Sequence, residues 1–182
     1  RPRVPDLVRT EPLLFALAAI VGLCYATYSV WEHNHFMTDF DLAIFDQAVW
    51  HYANFQSPEI TTIVTPVSML GDHFSPILVL LAPLYWIWSD PRMLLIAQAL
   101  LIAASIVPVF LFARPRMGRV GGYLLAAAYA LFWGISAAVG YQFHEVAFSP
   151  LLIALCILFG DRRQWTPFFI SLAALLLVKE SM

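Results

Sequence analysis

The sequence predicts an all-α, polytopic transmembrane helical bundle with a long loop on one face. Three observations carry this. Hydrophobic residues make up 61% of the 182 residues and charged residues only 12%, about half the charge of a soluble domain. Five apolar runs are too long and too clean for a water-soluble core. The arginines fall in clusters between those runs. Mean hydropathy is +0.76. A soluble enzyme and a secreted disulfide scaffold are excluded, and a net charge of −2 leaves no basic face for nucleic acid.

The first span is about 13–30, opened by Glu11-Pro12, since proline suits a helix start. Further spans are expected at 92–113, 120–140, 147–160 and 165–180. Between the first two lies a loop, 31–91. Its stretch Pro76–Trp88 is apolar but shorter than the about 20 residues a crossing needs, and Pro83 interrupts it. Cys24 and Cys156 sit inside apolar runs as small hydrophobes. No cleavable signal peptide is visible in the first run, and the absence of a tail after the last run suggests the N-terminal part of a longer protein.

Arginine placement orients the chain. Arg1, Arg3 and Arg9 precede the first span, Arg114, Arg116 and Arg119 separate the second and third, and Arg162 and Arg163 separate the fourth and fifth. If Pro76–Trp88 does not cross, all lie on one side, which the positive-inside rule makes cytoplasmic. The N-terminus is then cytoplasmic. Loop 31–91, which holds no Lys or Arg, is exterior with four of the five histidines, and the fifth, His144, falls on the same side in the short turn 141–147.

Within the loop, Leu42, Phe45, Val49 and Tyr52 recur at helical spacing, so a surface helix is expected over 42–55, with Thr38 or Asp39 capping it. Ile60–Val64 reads as extended. A second surface helix is expected over 75–88, led by the turn Gly71-Asp72-His73. Asp46 lies on another face from Asp41 and reads as a solvated or hydrogen-bonded acid. His33 and His35 read as interface residues. Asp72-His73 and His144-Glu145 are turn or helix-end residues that could also line a polar pocket. Asp72, with Glu145, suggests a weak site for Mn²⁺ or Mg²⁺, although no HxxxH or DxD spacing is present. Lys179, at the end of an apolar run, either snorkels to the interface or holds a phosphate as a point charge. Arg92, His73 and His144 are further candidates to meet a phosphate.

The order of a span, acids at the head of a surface helix, a Gly-Asp-His turn, a second surface helix and a span resembles the GT-C class of lipid-dependent glycosyltransferases. The phrases FDLAIFDQAVW, GDHFSPILVLLAPLY and LLLVKE resemble, more closely, a family of multi-pass bacterial membrane proteins grouped by topology with GT-C folds; the resemblance covers most of Asp39–Glu180. It implies a bacterial inner-membrane enzyme that moves a sugar from a polyprenyl-phosphate donor to an exterior acceptor, an envelope glycan or lipid. It implies Asp41, with Asp39 as alternative, as the first-loop acid that serves as base, and Glu145 as a second acid. The motif here is Asp-Phe-Asp, not the adjacent acidic pair common in that class. The competing reading is a non-catalytic membrane partner or scaffold of an envelope-assembly complex, in contact with other membrane proteins. A transporter fits less well, because the spans carry almost no charge.

Overall fold

The computed structural model describes residues 10–37, 40–61 and 67–179. Asp39, Glu180 and the side chain of Asp72 lie outside the described residues. The described chain is helical apart from one antiparallel ladder, β1 (Glu59–Ile60) and β2 (Val67–Ser68), with Ile60 opposite Val67.

Helix α1 runs Pro12–Asn34, 23 residues, or about 34 Å at 1.5 Å per residue. Pro12 stands in its first turn, where its missing N–H has no helical partner to lose. Its outward face stays apolar, with Leu23 69% exposed, and its inner face packs on α5 (Arg92–Ala104). Ser105 separates α5 from α6 (Ile106–Ala130). Arg92–Ala130 is a 39-residue apolar stretch. Straight, it would reach about 58 Å, twice the about 30 Å hydrocarbon core of a bilayer.

Gly118 resolves that length. At φ 74° and ψ 178° it breaks α6 into two arms, using a region of backbone space that only glycine occupies freely. The arms then pack on each other: Phe110 and Tyr123 meet with ring centroids 4.7 Å apart. At Gly122 a Cβ would lie 3.0 Å from the Phe110 ring and 3.3 Å from the Arg114 backbone, so only glycine allows so close an approach. The chain continues through α7 (Trp133–Gly140), a 3₁₀ turn (Glu145–Phe148), α8 (Ser149–Asp161) and α9 (Trp165–Leu176).

The expected surface helix over 42–55 is α2, Asp41–Ala53. The stretch expected as one helix over 75–88 is instead a 3₁₀ turn, Pro76–Leu81, followed by the single α-turn α4, Ala82–Tyr85. Pro83 is the reason. Inside a continuous helix it would lack the N–H its turn requires, so a new turn starts at Ala82 and puts Pro83 in its first positions. A one-turn helix, α3 (Met69–Asp72), precedes this segment. Residues of the expected extended piece Ile60–Val64 beyond Thr61 lie outside the described residues; Ile60 is in β1.

Two cores result. One, around Phe110, Leu14, Ala126 and Leu158, binds α1, α6 and α8. The other joins the loop to the bundle through Phe45, Val49, Leu78, Tyr85, Leu94 and Phe143. The polar groups segregate to opposite ends. At one end the Glu11 carboxylate, 1% exposed, accepts Arg114 at 3.1 Å, Arg119 at 3.0 Å and the Tyr123 hydroxyl at 2.9 Å. There Arg116 also pairs with Asp161, and Arg162 donates to the Leu111 carbonyl. The interhelical arginines thus converge on one end, and loop 31–91 packs at the other.

Gly118→Ala should lower stability by about 1–3 kcal/mol, the cost of a strained backbone position. Thermal unfolding of the detergent-solubilised protein measures this, and an unchanged midpoint would show that the hairpin does not need this backbone angle.

Candidate functional site

The site starts from a glutamine inside an apolar helix. Gln98 of α5 is 2% exposed, and a buried amide must find partners. Its Nε2 donates to the carbonyls of Ala138 at 3.0 Å and Tyr141 at 2.9 Å, while its Oε1 accepts the His144 N–H at 3.1 Å. These bonds hold the connector from α7 to the 3₁₀ turn Glu145–Phe148. The same connector reaches the loop: the Gln142 Oε1 accepts the N–H of Leu42 at 2.9 Å. That N–H is in the first turn of α2, where no helical carbonyl is available and the preceding Phe40 offers no capping oxygen.

This contact brings Asp41, the first residue of α2, onto His144. The Asp41 Oδ2 lies 3.3 Å from the His144 Nε2. The other ring nitrogen, Nδ1, lies 3.1 Å from the Gln142 carbonyl. A carboxylate and a carbonyl both accept, so the ring fills both bonds at once only as imidazolium. As neutral imidazole it keeps one nitrogen free to take a proton.

The next residue, Glu145, is 1% exposed, and its Oε1 lies 2.9 Å from the Lys179 Nζ. Neither oxygen has a hydrogen-bond partner among the described residues, so the contact with Lys179 is an ion pair. A buried carboxylate without a cation would be strongly destabilised, so Lys179 holds the end of the last helix against the 3₁₀ turn. A backbone bond from the Ile77 N–H to the Leu177 carbonyl ties the same helix end to the other 3₁₀ turn, Pro76–Leu81, in the loop.

Two adjoining cavities run along the bundle from this cluster. The upper, about 380 Å³, is bordered by Gln98, Tyr141, Gln142 and His144. The lower, about 510 Å³, is walled by Pro108, Phe112, Ile153 and Ile157. Gly134, Ala138, Val146 and Pro150 line both. From Gln98 to Phe112 the wall extends about 21 Å at 1.5 Å per residue. Away from the His144 end its lining is apolar except for Tyr129 and Ser149.

The remaining expected residues divide. Arg92 is engaged by Asp90, with Nε at 2.7 Å and Nη2 at 2.6 Å, and lies over the Trp88 ring. Its fork is filled there, and Arg92 holds the Asp90 carboxyl below its usual range. His73 follows α3 as its C-terminal cap, half-buried. Asp46, expected as a solvated or bonded acid, accepts the Tyr85 hydroxyl at 2.5 Å. Burial raises its carboxyl above the usual range, and Asp90 adds to the shift. Burial and Asp46 together push the Tyr85 hydroxyl upward. Among the described residues no three His, Cys, Asp or Glu side chains gather as a metal site. Of the two carboxylates suggested for Mn²⁺ or Mg²⁺, Glu145 is paired with Lys179 and the side chain of Asp72 lies outside the described residues.

Residues 32–182 match the family model described as "Predicted membrane protein (DUF2079)". The chain belongs to this family. No curated protein and no solved structure matches it. Among the described residues two helical stretches of this DUF2079 protein, Pro12–Asn34 and Arg92–Ala130, are long and apolar enough to cross a membrane, which agrees with the family's description.

Gln98, Gln142 and Tyr85 were not singled out in the sequence. Gln98 had a signal, since a polar side chain in an apolar run needs internal partners. Gln142 and Tyr85 had none, because their partners are 100 and 39 residues away.

Gln98→Leu should lower stability by about 2–5 kcal/mol, because it leaves buried carbonyls and an N–H without partners at about 1–3 kcal/mol each. Thermal unfolding measures this; a loss below about 1 kcal/mol would mean that water replaces the amide. A second expectation concerns pH. The folded-state pKa of Asp46 is raised, so its contribution to stability is full below its unfolded value of about 3.9 and lost as pH rises through the folded value. Asp46→Asn keeps an acceptor for Tyr85 and should remove that decline. Unfolding midpoints of both proteins between pH 4 and 8 test it, and parallel pH profiles would refute it.

Proposed function

We propose that this DUF2079 protein is a glycosyltransferase of GT-C type in the bacterial inner membrane. It moves a sugar from a polyprenyl-phosphate donor to an acceptor hydroxyl on the exterior face. One observation carries the reading: an apolar groove about 21 Å long ends at His144, with Asp41 at 3.3 Å behind it. A single isoprenoid chain suits the apolar wall, and its phosphate head would meet the polar end. The gathering of the arginines at the opposite end is what the positive-inside rule asks of an exterior site.

In this mechanism the acceptor oxygen attacks the sugar's anomeric carbon as the bond from that carbon to the phosphate oxygen breaks. The phosphate leaves with the bonding pair, the anomeric centre inverts, and the acceptor proton passes to the Asp41–His144 pair. Lys179 is committed to Glu145. Of the side chains expected to meet the phosphate, His144 is the one on the groove wall, and it becomes a cation beside the leaving phosphate only on taking the acceptor proton. The tight bonding of Gln98, Gln142 and the Glu145–Lys179 pair favours one competing reading, a membrane scaffold in which these groups only hold the connector in shape.

The full-length protein, assayed with a panel of polyprenyl-phosphate sugars, separates the two. Asp41→Asn and His144→Ala should each reduce transfer by about 10²–10⁴-fold, the usual worth of a general base. Unfolding midpoints should stay near wild type, because Gln98 bonds the backbone of His144 and not its ring. Full transfer by both variants would remove the pair from the chemistry, and no transfer by the wild type from any donor would favour the scaffold.

A further inference from the structure

Three of the described helices end on a non-glycine residue in the left-handed region, at Phe36, Phe55 and Arg163, and in α1 and α2 that residue is a large apolar one. After α1 the Met37 N–H bonds the Glu32 carbonyl at 3.1 Å and the Phe36 N–H bonds His33 at 3.0 Å. After α2 the Gln56 N–H bonds His51 at 2.9 Å and the Phe55 N–H bonds Tyr52 at 3.1 Å. Both are Schellman ends, which place one residue in the left-handed region where glycine is usual. Here that residue is phenylalanine, at φ 57° in both cases. A bulky side chain at such an angle is an outlier. Burial would offset the strain, yet Phe36 is 95% exposed and Phe55 88%.

Phe55 does not stand alone. Its ring lies 6.0 Å from that of Trp86, and the Trp86 Nε1 donates to the Ala53 carbonyl at 2.8 Å. That bond joins the end of α2 to the end of α4. Ile87, 80% exposed, and Trp86, 62% exposed, extend the patch. The occupant is set by position. Ile87 lies five residues before α5, and Phe36 follows the end of α1; these are the two helices that flank the loop and are long and apolar enough to cross. Aromatic side chains at that depth belong at the boundary between headgroups and acyl chains. The loop 31–91 holds no Lys or Arg, so apolar insertion, not attraction to anionic lipid, must supply the contact.

We propose that Phe55, Trp86 and Ile87 form a membrane-interface anchor that inserts into the exterior headgroup layer and presses the loop onto the bilayer. The proposal rests on the membrane assignment and not on sugar transfer. It gives the strained Phe55 its function: the Schellman end turns the ring outward into lipid. It also explains how Asp41, at the other end of α2, stays level with the His144 end of the groove.

The test uses the full-length protein in phosphatidylcholine nanodiscs. Trp86 is kept and the other five tryptophans are replaced by Phe. Lipids brominated at carbons 6 and 7 should quench at least half of the Trp86 emission, more than lipids brominated near the chain ends, and aqueous acrylamide should quench weakly. Phe55→Gly in this background should leave the unfolding midpoint in detergent unchanged or higher, since glycine suits the angle, while halving the lipid quenching. Strong acrylamide quenching without lipid quenching would overturn the anchor. So would shielding from both quenchers, which would mean that protein covers the patch. If the multiple replacement prevents folding, Ile87→Cys with Cys24→Ala and Cys156→Ala, carrying a polarity-sensitive fluorophore, gives the same readout: a blue-shifted, lipid-quenched label supports the anchor and a water-exposed label refutes it.

Discussion

The structure of the polar end depends on one buried amide. Gln98 sits in α5 where the neighbouring side chains are apolar, so neither its N–H groups nor its oxygen has water to bond. It satisfies them on the backbone of a connector some 40 residues further along, from Ala138 to His144. That bonding fixes the direction of the chain at His144 and Glu145, and so fixes what each side chain meets. Without it, the four-residue connector after α7 would have no reason to present one particular face to α2.

The opposite end relies on charge. Glu11 is buried beneath Arg114, Arg119 and Tyr123, so the start of α1 is tied to both arms of the α6 hairpin. An isolated buried carboxylate would be untenable, and two cations and a hydroxyl offset its desolvation. The result is a bundle closed at one end by ion pairs around Glu11 and at the other by amide hydrogen bonds and the Glu145–Lys179 pair, with apolar packing between. Gly118 and Gly122 make this possible, one by reversing the chain and the other by letting the arms touch.

The candidate site was legible in part. His144-Glu145, Asp41 and Lys179 stood out because ionisable groups beside apolar runs are expensive and seldom accidental. Their pairing was not legible. Asp41 could be assigned to a cap or to a base, and Lys179 to a phosphate or to the interface, because residue type and local pattern allow either. The structure pairs Lys179 with Glu145 and puts His144 in front of Asp41 on the groove wall. Arg92 shows the converse: a cation at a helix mouth reads as available for phosphate, yet Asp90, two residues earlier, fills its fork.

The sequence by itself determined the helical, apolar class, the start of α1 and the place of α2, because these follow from hydropathy, proline placement and apolar periodicity, all of which act locally. Pro12 and the helical stripe of Leu42, Phe45, Val49 and Tyr52 are examples. The tertiary structure alone decided the turn from 3₁₀ to α at Ala82, the partners of Gln98 and Gln142, and the outward aim of Phe55. These depend on groups distant in the chain, whose approach is selected by the need to satisfy every buried donor and acceptor at once, a condition that no stretch of sequence expresses.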